Sequence, residues 1–212
     1  AIIDGNYKEF HPDGPISNMP YRMRFFGDRL YVLPGGRWAV QSMRLGEIMY
    51  YEDGQWTNIS NGQLVDMANH ELYDFMNVAQ DPADKEHYFI TTYGTGMLEM
   101  HGNDVVKLHL PHNSGLQSAI PSNPDLYTRT DGAMFDDQGN LWVLNAHKDV
   151  DNIHILTPDN TWYSYNLVTN GERKVLDTPG EILVDKRNSQ WKWISECRLR
   201  TGIILLKDNG TP

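Results

Sequence analysis

The chain has 212 residues, 28 acidic against 18 basic, and a net charge of −10. No Lys/Arg cluster offsets that charge, which argues against nucleic acid or an anionic membrane surface as a partner. The hydrophobic and aromatic content is that of a folded protein rather than a disordered one. The single cysteine, Cys197, leaves no internal disulfide.

In chain order, residues 4–10 read as a turn, Asp4-Gly5-Asn6, followed by a short strand. A strand over 23–26 then turns at Gly27-Asp28 into 29–33. A long connection leads to 48–51, which turns at Asp53-Gly54 into 56–59. The same succession returns three times. Strands are expected at 75–79, 87–91, 97–100 and 105–110, then at 133–135, 141–144, 153–156 and 162–167. The last set, 182–184, 190–194 and 203–206, ends at Asp208-Asn209-Gly210 without a fourth strand. Gly, Asn, Asp and Pro punctuate these runs because they accept positive φ, cap their own backbone or preset φ. The runs themselves are β-branched and aromatic, as half-buried pleated surfaces require.

The second-strand landmarks start at Arg29, His87, Asn140 and Gln190, which lie 58, 53 and 50 residues apart. Four short strands per repeat of about 50 residues define the blades of a β-propeller. The fold class is therefore all-β: four four-stranded antiparallel blades, at about 21–60, 73–110, 132–167 and 181–208. No window sustains a helical period. Residues 4–10 have the form of 53–59, so the chain starts with a fourth, outer strand and finishes with a third. Either this strand closes a four-bladed ring, or the chain is part of a larger propeller. The larger propeller is the expectation, with Ala1 opening a processed or excised chain.

Asp136-Asp137-Gln138-Gly139-Asn140-Leu141-Trp142-Val143 resembles the D-x-x-G-N-L-W-V core of two-component-regulator propeller repeats. Thr92-Tyr93-Gly94-Thr95-Gly96-Met97-Leu98 is similar to that family's next element, and Asn113-Ser114-Gly115-Leu116 to its N-S-x-L linker. The run from Tyr21 to Leu167 also resembles the propeller of PorZ-type proteins of the Bacteroidetes, associated with type IX secretion. The resemblance implies a sensing, binding or docking module in the periplasm or on the outer cell surface. It implies no enzyme, and the motif residues belong to turns and strands rather than to a ligand site.

Binding groups are expected on the face that carries the long connections, 34–46, 91–96, 145–152 and 195–202, together with 61–72, 111–130 and 168–180. The first loop brings Arg37, Trp38 and Arg44 together, a set suited to a sugar ring, a carboxylate or a protein hot spot. Tyr93 is placed to line the central channel. His147 and Asp149 make the third loop polar, and Arg198 lies in the last. The expected ligand is a glycan, a lipopolysaccharide-like molecule or a partner protein. The alternatives are a hydrolase or lyase centred on His147 with Asp149 or Asp151, and a purely structural scaffold.

No catalytic residue, cofactor or metal is expected. The run from Asp149 lacks the central glycine of a calcium loop, and its twelfth position is Asn160 rather than Glu. The eight histidines read as scattered surface residues, with His109 and His112 the one close pair. Trp56 and Trp162 match as a fourth-strand stripe, and Trp142 with Trp191 as a second-strand stripe; both read as packing.

Overall fold

The computed structural model describes residues 2–3, 6–7, 13–37, 40–146, 151–197 and 202–210. After a small hairpin of β1 (Ile2–Ile3) and β2 (Asn6–Tyr7), four antiparallel blades follow one another. The first joins β3 (Arg22–Phe26), β4 (Arg29–Leu33), β5 (Ile48–Glu52) and β6 (Gln55–Ile59) in chain order. Helix α1 (Asn61–Ala68) leads to β7 (Phe75–Gln80), β8 (His87–Gly94), β9 (Met97–His101) and β10 (Asp104–His109). A one-turn helix α2 (Pro124–Tyr127) precedes β11 (Thr128–Phe135), β12 (Leu141–Asn145), β13 (Ile153–Leu156) and β14 (Trp162–Tyr165). The hairpin of β15 (Leu167–Thr169) and β16 (Glu172–Lys174) leads to the last sheet, β17 (Pro179–Val184), β18 (Trp191–Glu196) and β19 (Gly202–Lys207). Blades two and three are joined where the end of β8 pairs with the start of β11, Tyr93 opposite Arg129.

In blades three and four, one carboxylate organises the first hairpin. Asp136 accepts the backbone N–H groups of Gln138 and Asn140, both at 2.9 Å. It also takes the Asn140 amide at 3.1 Å and the Trp142 indole N–H at 2.8 Å. Gly139 completes the turn at φ +78°. Asp185 does the same with the Arg187 N–H and the Trp193 indole. The partner of Trp142 in blade four is thus Trp193, not Trp191. Met134 opposes Trp142 and Leu183 opposes Trp193, and the longer turn of blade four shifts the alignment. In a strand, one residue of shift exchanges the two faces, so the buried Lys192 stands where Leu141 stands in blade three. The linker motif also has a physical basis. The Asn113 side chain accepts the Leu110 N–H and donates to the Leu108 carbonyl, and Leu116 is buried.

Hydrophobic clusters fill the blade interfaces in succession. Tyr31, Ile48, Val78 and Tyr88 lie between blades one and two, Phe89, Ala133 and Val143 between two and three, and Trp142, Ile155, Ile182 and Ile194 between three and four. The outward faces of the end blades carry exposed apolar side chains, Met23 and Phe25 on β3 and Leu183 and Ile203 on the last sheet. Blade faces that pack on further blades have this character. No helix among the described residues is long and apolar enough to cross a membrane.

Further expectations change. Helix α1 was not foreseen, because eight residues are too few to display a helical period. Its ends are nevertheless specific: Ser60 and Gln63 form a capping box, and Asn69 closes the helix at φ +49°. The segment 91–96 is not a long connection, since β8 runs to Gly94 and β9 starts at Met97. Two histidines are core residues: His109 and His154 are 1% and 0% exposed. Of residues 4–10, expected as the outer strand of blade four, only Asn6–Tyr7 are described, and they pair with Ile2–Ile3. Among the described residues the last sheet has three strands.

Candidate binding cavity at the long-loop face

The first connection of blade one lies on the entrance of blade two because Gly35 has no side chain. A Cβ there would stand 1.8 Å from the Phe75 carbonyl oxygen. This delivers Arg37 to the axis, where it is buried. It forms an ion pair with the fully buried Asp131 of β11 and donates to the Pro179 carbonyl of β17 at 3.0 Å. One guanidinium from blade one therefore binds blades three and four. Arg44 has a different task. Its Nη1 donates to the Gly35 carbonyl at 3.1 Å and its backbone N–H to Asp74 at 2.9 Å, which fixes the loop's return. Asp74, at φ +55°, also accepts the Met43 N–H at 2.9 Å. Burial pushes its carboxyl above the usual carboxylate range.

Between these groups lies a cavity of about 360 Å³, lined among others by Arg37, Tyr73, Asp74, Tyr93, Tyr127 and Arg129. The Tyr93 ring lies between two guanidinium groups, Arg37 at 5.0 Å and Arg129 at 5.3 Å from its centroid. Arg129 also lies 5.3 Å from the Tyr127 ring. At such distances the ring quadrupole attracts the cation and orients it.

Of the residues expected at the site, Arg37 and Tyr93 meet in this cavity, and Arg44 supports it from behind. Trp38, His147, Asp149 and Arg198 lie outside the described residues. Sequence reading missed Asp74, Tyr127 and Arg129. Tyr127 and Arg129 fall in the connection 111–130, and the Tyr-x-Arg spacing was the available signal; their convergence depends on the β8–β11 pairing. Among the described residues, no group of three His, Cys, Asp or Glu side chains is arranged to hold a metal.

Neither models of protein families nor curated proteins match the chain. Among solved structures, PorZ of Porphyromonas gingivalis superposes with a TM-score of 0.81 at 25% identity, covering 96% of this chain and 27% of PorZ. The chain has the fold of a β-propeller segment and is similar to the one in PorZ. PorZ is described as an essential bacterial surface component of the type-IX secretion system. The extracellular domain of a hybrid two-component system of Bacteroides thetaiotaomicron matches with a TM-score of 0.54 at 15% identity, over 96% of this chain and 25% of that one. The chain thus spans about a quarter of the length of each. A streptogramin B lyase matches at a TM-score of 0.49 and 16% identity, over 88% of this chain and 49% of the lyase, a likeness too weak to carry a reaction across.

Proposed function

We propose that this chain is a non-catalytic, exported propeller module, working in the periplasm or on the outer cell surface. It recognises a glycan, a lipopolysaccharide-like ligand or a partner protein through its long-loop face. The observation that carries this reading is the cavity in which Tyr93 is held between Arg37 and Arg129. Tyrosine and arginine in a concave site on a rigid scaffold are the groups that dominate recognition surfaces. They offer flat rings for sugars or apolar side chains and forked donors for carboxylates or carbonyls. The neighbouring structures support the location, since one is a surface component and the other an extracellular domain.

Tyr93 is the residue to change, because its ring faces both guanidinium groups while its backbone alone holds the sheet. The test screens a glycan library and purified lipopolysaccharides against the native chain, then repeats each hit with Tyr93→Ala. Hits at this face lose at least about tenfold in affinity, the equivalent of about 1.4 kcal/mol. If every hit retains its affinity, the cavity is not the recognition site and the reading fails.

A further inference from the structure

We infer that the cavity takes a carboxylate-bearing sugar, with Arg129 as the group that receives the carboxylate. The inference rests on the recognition reading above and adds the chemistry of the ligand. Its starting point is the difference between the arginines around the cavity. Arg37 is committed to Asp131 and to the Pro179 carbonyl, and Arg44 to the Gly35 carbonyl. The Arg129 side chain donates no hydrogen bond and joins no ion pair among the described residues, and its Nε is buried without a partner. A buried donor left unsatisfied is costly, and each such group in a folded protein calls for a partner.

The surroundings hold Arg129 ready for one. Its carbonyl accepts the Ala146 N–H at 2.9 Å and the Asn145 amide at 2.8 Å, so the backbone is fixed independently of the side chain. Tyr93 and Tyr127, each 5.3 Å from its guanidinium, limit where that group can go. Aromatic contacts use the π-system, whereas the in-plane N–H fork is what binds a carboxylate through two parallel bonds.

Two further features define the ligand. Asp74 lines the same cavity but does not compete for Arg129. Its oxygens accept the Met43 and Arg44 N–H groups, and burial disfavours its charge. A single uncommitted cation beside such a residue matches a monoanion better than a phosphate dianion, whose second charge would find no partner. The cavity, about 360 Å³ with Tyr73, Tyr93, Ser42 and Thr95 in its lining, is at the small end of the range for small molecules. It offers flat faces and polar edges together, as a sugar ring requires.

The experiment titrates the chain by calorimetry with galacturonate, galactose and galactose 1-phosphate, using native protein, Arg129→Gln and Arg129→Lys. Thermal unfolding confirms that both variants fold. Galacturonate is expected to bind at least about tenfold more tightly than galactose, and Arg129→Gln to abolish that preference. Arg129→Lys restores only part of the preference, since a point charge replaces a fork. Equal binding of galacturonate and galactose overturns the inference. So does a preference that survives in Arg129→Gln, or tighter binding of the phosphate. If none of the three probes binds while hits from the screen still depend on Tyr93, the inference is overturned and the recognition reading stands.

Discussion

Glu99 accepts two imidazoles, His87 Nε2 at 3.1 Å and His109 Nε2 at 2.8 Å, while the other ring nitrogen of His87 meets Asp81 at 3.0 Å. The hydrogen bond to Glu99, helped by the one to Asp81 and opposed by burial, lifts His87 to about 9. Burial pushes Glu99 up, but its two imidazole partners prevail and hold it at about 2. The two linkages have opposite limbs. The His87 contribution is complete below its ordinary 6.5 and is lost as pH rises through about 9. The Glu99 contribution is complete above 4.5 and is lost as pH falls through about 2. His154 complicates the acid side, because burial lowers it to about 4, so the fold pays increasingly for protonation below 6.5. The alkaline limb is therefore the clean test. Native protein is expected to lose thermal stability between pH 6.5 and 9, and His87→Gln to flatten that limb; an unchanged slope would remove the charge from His87. Glu99→Gln should cost about 3 kcal/mol in urea unfolding, because it removes the largely buried carboxylate that meets both His87 and His109. None of this was readable in advance. His109 looked like one of a close surface pair with His112, and its real partner sits on the neighbouring strand at a position that only the register reveals.

At the scale of the element, the hairpin headed by Asp136 was the most readable feature and also the best explained. Four donors converge on one carboxylate, and the last is the indole of a tryptophan only 2% exposed. Asp136→Ala leaves that N–H without an acceptor, so a loss of about 2–3 kcal/mol is expected in chemical denaturation. In a Trp142→Phe background, which has no indole to satisfy, the same change should cost about 1 kcal/mol less. Equal costs in the two backgrounds would mean that the indole bond contributes nothing. Blade four shows why poorer copies mislead. Its turn is longer, so matching the first tryptophan of each strand paired Trp142 with Trp191, whereas the cross-strand partners select Trp193. Helix α1 shows the converse limit: Ser60-x-x-Gln63 was present in the sequence, but a capping box becomes a helix signal only when an apolar periodic run follows it.

For the molecule as a whole, the number and order of the blades followed from repeats, because each blade is built from local turns and strand patterns. The ties across the axis did not, since they join residues far apart in the chain. Glu181 of β17 accepts Arg24 Nη2 at 2.5 Å and the Asn77 amide at 3.1 Å, and it pairs with Arg22 as well. Both Arg22 and Glu181 fell just outside the strands expected at 23–26 and 182–184. Among the described residues the hydrophobic clusters join successive blades, so apolar packing propagates from neighbour to neighbour as in other repeat folds. Blade one is tied to blade four by Arg22 and Arg24 to Glu181 and by Arg37 to the Pro179 carbonyl, and to blade three by the Arg37–Asp131 ion pair. Glu181→Gln should accordingly cost little in global stability, about 1 kcal/mol, because all three side chains of its cluster are about one quarter exposed. Its effect should be local instead. Amide hydrogen exchange in β3 should quicken while exchange in β8 and β12 stays as it was. Exchange that rises equally in all blades would show that the four sheets open as one unit and that the axial charges are not what couples the first to the last.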